Sequence, residues 1–414
     1  VTGASKALDV VVVGGGPVGL ATAIAARSRG LSVRVIDRQR PPIDKACGEG
    51  LLPAGVAALA ALGVPVPERS MPFRGIRYVS GGVVAEADFP GGEAGRGRGV
   101  RRTELSRALA ARAEESGVEL SWGERVEEVK PGEVRTAAAV WRCRYVVGAD
   151  GLHSRVRRTA GRERSRRYRI GDGTGADGAD PVGTSHAASW NPRARFGISR
   201  HLRLPPWSER VEVTFGDAAE AYVTPLAPDE IGVAILWTGG KGGFDDLLAT
   251  RFSGDLARRL AAGTALGRDH GAGPLLQPRS FAVAPGGLAL VGDAAGYIDA
   301  LTGEGLSLGF ESALALAEAL AQDDLAAYER RLARLARLPE AMTRLLLMVA
   351  RRPALRRRLV AALAADPVLF ANVLGLLGAR RPLAGLLLGR ALRLCARLAW
   401  PLPAPLPGPQ ATPA

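Results

Sequence analysis

The sequence predicts an α/β protein in which a Rossmann-like domain is interleaved with an antiparallel-sheet domain and followed by a helical C-terminal region. Three observations carry that expectation. A glycine fingerprint, Gly14-Gly15-Gly16-Pro17-Val18-Gly19, follows an apolar strand and opens an Ala-rich helix. Far downstream, the apolar run Leu290-Val291 ends in Gly292-Asp293 and leads into Gly303-Glu304-Gly305-Leu306. Between the two, Thr184 to Thr238 alternates polar and apolar residues, with turn signals at Pro205-Pro206, Gly216-Asp217 and Pro228-Asp229.

The elements follow in order. Leu8 to Asp37 reads as one βαβ unit, with a helix over Leu20 to Ser28 and a second strand over Ser32 to Ile36 that ends at an acid. Pro53 to Leu62 is helical, Ile76 to Phe89 is a hairpin turning at Gly81-Gly82, and Gly91 to Gly99 is a loop. A helix from Arg102 to Ser116 precedes strands over Glu119 to Val129 and Ala138 to Val147. Gly171 to Gly183 is Gly/Asp-rich and reads as mobile. From Glu311 onward Ala, Leu and Arg recur at helical spacing, with breaks expected at Pro339, Pro353, Pro367 and Pro382. The implied boundaries are 1–75, 96–170 and 276–330 for the nucleotide-binding domain, 76–95 and 171–275 for the substrate domain, 331–400 for the helical region, and 401–414 for a Pro-rich disordered tail.

Composition narrows the function. The 414 residues carry a net charge of +14, and no nucleic-acid-binding motif accompanies it, so nucleic acid is not an expected partner. Cys47, Cys143 and Cys395 lack metal-ligand spacing, only four histidines are present, and no metal is expected. The N-terminus lacks a signal-peptide pattern, so the chain reads as cytoplasmic. Leu383 to Trp400 is apolar with Arg390, Arg393 and Arg397 on one face. It reads as an amphipathic helix that either covers the substrate domain or makes peripheral membrane contact.

The chemistry concentrates in a few blocks. In the fingerprint, Gly14 makes the tight turn, Gly16 admits a pyrophosphate, and Gly19 lets the helix pack closely. Asp37, beside Arg38, stands where an acid accepts ribose hydroxyls. These features fit NAD or FAD equally. Val147-Gly148-Ala149-Asp150-Gly151, followed by Ser154, Arg155 and Arg157, is a strand ending in Asp-Gly before a basic helix start.

That block resembles the Asp-Gly motif of two FAD families, the para-hydroxybenzoate-hydroxylase-like monooxygenases and the geranylgeranyl reductases. The resemblance spans roughly residues 8 to 330. It implies FAD as cofactor and NADPH or NADH as electron donor. It also implies that Asp150, with Ser154 and Arg157 as further candidates, lies near the pyrophosphate, Asp293 on the ribityl chain, and Gly303, Glu304, Gly305 and Leu306 beneath the flavin ring, where free helix-terminal N–H groups favour negative charge. Arg101-Arg102-Thr103-Glu104-Leu105 resembles the families' Arg-x-x-Leu helix start, making Arg102 a flavin contact. Cys47-Gly48 leans toward the reductases and, with Tyr222 and Pro225, marks the substrate cavity. The aromatic element of the reductases is incomplete here: Tyr222-Val223-Thr224-Pro225-Leu226 keeps Tyr and Pro but lacks the Trp and Phe.

The expected activity is NAD(P)H- and O2-dependent hydroxylation of a lipophilic aromatic or polyketide-like small molecule. Two alternatives stay open: flavin-dependent reduction of carbon–carbon double bonds, and a non-catalytic flavin-binding protein of the membrane surface. His186, His201, Tyr222 and Trp237 fall on the cavity sheet, and no catalytic acid or base is assigned.

Overall fold

The computed structural model describes residues 7–171, 194–240, 242–277 and 279–378. The 171–193 stretch beyond Gly171, and Leu383 to Trp400 with the tail after it, lie outside the described residues. So do His186, Cys395 and Pro382.

The apolar strand Leu8–Val13 pairs in parallel with Val33–Asp37 on one side and Val140–Gly148 on the other. Glu119–Trp122 extends the sheet beyond Val33–Asp37, and Leu288–Leu290 extends it beyond Val140–Gly148. Near-continuous Val and Ile make these strands fit a sheet buried on both faces. Pro17–Arg27, Arg102–Glu115 and Gly305–Ala321 contribute Leu20, Ile24, Leu105, Leu109, Phe310 and Leu316 to the core against it. The register aligns Val13 with Gly148 and Gly148 with Leu290. Three neighbouring strands therefore end at one edge, and the turns that follow them emerge side by side. Ligands of open α/β sheets bind at such carboxyl ends.

A second sheet of seven strands joins the hairpin Gly75–Ser80 and Val83–Asp88 to Val211–Phe215, Ala219–Ala227, Glu230–Thr238, Arg195–Arg203 and Thr264–Ala272. All its pairings are antiparallel except Val211–Phe215 with Gly75–Ser80. Gly50–Leu51, Ser70–Phe73 and Gly97–Val100 form a small third sheet between the two.

Three expectations are corrected. Gly91 to Gly99 is not simply a loop: Gly92–Gly95 is a 3-10 turn and Gly97–Val100 a strand. A β-carbon at Gly99 would lie 1.8 Å from the Pro225 carbonyl oxygen, so its glycine reflects a close strand crossing rather than a loop. The strand expected from Glu119 to Val129 is two, Glu119–Trp122 and Val126–Lys130, parted at Gly123 with φ of +81°. Pro339 does not break its helix, which runs from Leu325 to Ala350. Proline costs a backbone hydrogen bond there, but the ring is buried and Thr343 Oγ1 donates to its carbonyl at 2.8 Å.

Pro353 and Pro367 instead occupy the first turns of Pro353–Ala364 and Pro367–Gly378. Val360, Leu363, Phe370 and Leu374 of these helices pack with Phe73, Ala85 and Phe89. Among the described residues no single helix is long and apolar enough to cross a membrane. The last two together pass that test only across a 105° bend.

Candidate active site

The glycine turn is built by close approach. Gly14 sits at φ +109°, donates to Ile36 O at 2.9 Å, and would place a β-carbon 2.4 Å from Ala149 O. At Gly19 a β-carbon would meet Gly14 O at 1.9 Å, which fixes how the helix Pro17–Arg27 enters. Gly15, not singled out from sequence, donates to Asp37 Oδ2 at 2.7 Å and faces the Trp122 ring. Asp37 thus holds the turn as well as standing at its ribose position, and Arg38 beside it is exposed. Val18 touches Gly292 and Gly309, so the fingerprint packs directly on the Gly-Asp block.

Asp150 Oδ2 accepts from the backbone N–H of Arg155 at 2.6 Å, so its carboxylate caps the next helix. That helix delivers Arg157, whose Nη1 donates to Ala294 O at 3.1 Å and Ala295 O at 3.0 Å. Arg157 therefore holds the Gly292-Asp293 turn, a role no local pattern disclosed. Ser154 Oγ accepts from Arg157 N at 2.9 Å.

Asp293 and Lys45 reach solvent yet are enclosed by protein. Burial raises the Asp293 carboxyl above its ordinary range, while Arg102 and then Lys45 pull it back. Burial, then the charge of Arg102, lowers the Lys45 ammonium, opposed by Asp37 and Asp293. These four groups, drawn from remote segments, lie close enough for their charges to act on one another. Asp293 also lines a pocket with Tyr297, Asp299, Glu304, Gly305 and Pro339.

The residues fit FAD. Arg102 Nη2 lies 3.9 Å from where a Gly16 β-carbon would stand, and Arg102 Nε is buried with no acceptor, as a pyrophosphate partner would be. The helix Gly305–Ala321 begins with no side-chain cap, and Gly303 and Gly305 before and at its start are exposed, leaving first-turn N–H groups for an acceptor. Gly303 at φ +67° and Gly48 have open space where a side chain would project. Glu304 is buried at the helix cap, and Leu306 packs against the main core.

The Cys47-Gly48 loop is tied to the second sheet. Gly48 O accepts from Thr224 Oγ1 at 2.8 Å. Glu49, buried, accepts from Arg102 N at 2.7 Å and pairs with His201 Nε2 at 2.7 Å. Glu230, also buried, pairs with Arg101 and, at 2.8 Å, with Arg69. Burial opposes protonation of His201, but the Glu49 hydrogen bond and charge outweigh it, and the net shift is upward. Cys47 is half-buried and burial raises its thiol, so it is not a ready nucleophile.

A narrow, nearly closed apolar cleft lies between the second sheet and the C-terminal helices, walled by Tyr78, Phe215, Tyr222, Leu301, Val349 and Leu359. Tyr222 donates to Leu301 O at 2.9 Å, joining the sheet to the segment ahead of Gly303. Arg195 reinforces that joint: Nη2 meets Glu220 at 2.6 Å and Nε meets Asp299 at 2.7 Å, all three side chains buried. Burial, reinforced by Glu304, pushes Tyr78 up to about 12, and burial raises Tyr222 well above its ordinary value. Both phenols stay protonated near neutrality. Pro225 does not line this cleft; it lies under Gly99 in the small sheet. Trp237 faces the opposite core and donates to Gly240 O at 3.1 Å. Among the described residues no His, Cys, Asp and Glu group could hold a metal ion.

Residues 7–196 match a family model described as an FAD binding domain. A menaquinone reductase of Mycobacterium tuberculosis is 32% identical over 352 residues, covering 77% of this chain and 78% of its own. A ubiquinone hydroxylase of Rhodospirillum rubrum is 30% identical over 345 residues, covering 77% of this chain and 74% of its own. Among solved structures, a flavoprotein/dehydrogenase from Cytophaga hutchinsonii superposes with a TM-score of 0.69 at 18% identity, covering 90% of this chain and 93% of that one, a likeness of fold alone.

Proposed function

Because this chain belongs to the FAD-dependent oxidoreductases of the geranylgeranyl reductase and para-hydroxybenzoate-hydroxylase-like superfamily, we propose that it is an NAD(P)H-dependent monooxygenase hydroxylating a lipophilic aromatic small molecule. Arg102, Asp293 and the uncapped helix start at Gly303 to Gly305 would hold FAD, which would supply the redox chemistry between a nicotinamide donor and O2.

The observation that carries the reading is the apolar cleft beside Leu301. Its walls offer ring faces and edges: Tyr78 stacks on Phe370 with centroids 5.1 Å apart and meets Phe215 edge-on at 5.6 Å. Walls of this kind favour a flat aromatic substrate over a polar one, and the apolar lining excludes water. Tyr222 spends its O–H on the Leu301 carbonyl, and neither protonated phenol withdraws a proton. The protein's part is orientation and shielding, with Arg195 and Tyr222 fixing the cleft relative to the flavin-facing loop.

A second reading, reduction of a carbon–carbon double bond in an isoprenoid lipid, draws on the 32% identity to a menaquinone reductase and the 27% identity to a geranylgeranyl diphosphate reductase. The two separate cleanly. Holoprotein given NADPH, O2 and either 4-octylphenol or menaquinone is expected to consume O2 and yield a hydroxylated phenol. Anaerobic gain of two hydrogens by menaquinone that survives reoxidation of its ring in air, with no oxygen entering the phenol, would overturn the hydroxylase reading in favour of the reductase.

A further inference from the structure

The apolar cleft has one charged wall. Arg356, on the helix Pro353–Ala364, lines it with Phe215, Ala350 and Leu359. Its Nη1 donates to Gly216 O at 2.9 Å and Ala350 O at 3.3 Å, while Nε is buried without an acceptor. The guanidinium carbon lies 5.6 Å from the centre of the Phe215 ring.

All of these partners are neutral. Glu220, the acid whose charge reaches Arg356 most strongly, is already held by Arg195 at 2.6 Å, and Asp217 is exposed at the turn. Burial lowers the guanidinium's affinity for its proton, Glu220 and Asp217 oppose that, and Arg357 adds to it. The contrast with Arg195 is instructive: that arginine meets two buried carboxylates, whereas Arg356 meets carbonyls and a ring. The guanidinium is half-buried with no carboxylate bound to it, and an anion brought to its buried Nε gains a charge-assisted hydrogen bond.

Position gives the anchor a direction. Arg356 grips Gly216, and Val213, three residues back along the strand, pairs with Tyr222. At the strand rise that separation is about 10 Å. A ligand held at Arg356 would lay its body along the cleft and bring its far end to Tyr222 and Leu301, on the side of the flavin-facing loop.

We propose that Arg356 anchors an anionic oxygen headgroup on a lipophilic ligand whose apolar body lies toward Tyr222 and Leu301, an inference that rests on reading this cleft as the substrate site. The competing role, in which Arg356 only fastens its helix to the Gly216 turn, makes no distinction between charged and neutral ligands.

Calorimetric titration of the holoprotein with 4-octylbenzoate and its neutral partner 4-octylbenzamide, without NADPH, tests this. The benzoate is expected to bind at least about tenfold more tightly, the size of one charge-assisted bond. Arg356→Gln should erase that preference while leaving benzamide binding within about twofold. Equal affinities in the unaltered protein, no binding of either probe, or equal weakening of both by the substitution would overturn the proposal. Should Arg356→Gln fail to fold, the benzoate-to-benzamide ratio in the unaltered protein decides alone. Because no turnover is measured, a benzoate preference without oxygen insertion into 4-octylphenol would retire the hydroxylase reading and leave the anchor standing.

Discussion

Glu49 adopts a left-handed backbone conformation at φ +56°, which costs a non-glycine residue about 1–2 kcal/mol. The conformation turns its carboxylate inward, where one oxygen takes the N–H of Arg102 and the other meets His201. The strain is offset by two hydrogen bonds to a charged group, each worth about 1.5–3 kcal/mol. His201 has a pKa raised above its ordinary value, so its stabilising contribution is fully present below about pH 6.5 and is lost as pH rises through the raised folded value. The stability gap between the unaltered protein and His201→Gln, measured by urea unfolding, should therefore be larger at pH 6 than at pH 9. An equal gap at both would show that the pair contributes no charge-dependent stability. This residue pair was illegible in the sequence because its members lie 152 positions apart and neither sits in a motif. Lys45 and Arg195 were missed as site-building groups because their partners are likewise remote in sequence, whereas Arg157 was marked by the Asp-Gly resemblance and only its grip on the Ala294 and Ala295 carbonyls was new. Asp293 and Gly14 were legible because their signals are local: a strand, a turn and a helix start in one short run.

At the scale of elements, the fingerprint helix is positioned by contacts too tight for any side chain. A methyl at Gly19 would stand 1.9 Å from Gly14 O, and the neighbour is backbone that cannot rotate away. Gly19→Ala should destabilise the protein by roughly 2 kcal/mol or more and strip it of FAD, read from the flavin absorbance of purified protein. Retention of full flavin occupancy would show that the turn tolerates displacement. The central βαβ unit and the alternating strands were readable because their periods of 3.6 and 2 are set by burial on one face or two. The strand Gly97–Val100 was not, since its glycines serve a crossing over Pro225 that only the assembled sheets reveal. The uninterrupted helix through Pro339 was also missed, because tertiary packing outweighed a local penalty.

At the scale of the whole molecule, four remote segments meet at one sheet edge. The register of Val13, Gly148 and Leu290 brings out the glycine turn, the Asp-Gly turn and the Gly-Asp turn side by side, and the Cys47-Gly48 loop delivers Lys45 from a fourth direction. Arg195 and Tyr222 then fasten the second sheet to the loop ahead of Gly303. The site therefore belongs to the assembly rather than to any one domain, and its central acid is Asp293, held among Arg102 and Lys45. Fluorescence titration of apoprotein with FAD tests that account most directly. Binding at one FAD per chain, weakened about 10- to 100-fold by Asp293→Ala as the loss of one charged hydrogen bond requires, is the result expected. Unchanged FAD affinity in a folded Asp293→Ala protein would contradict it.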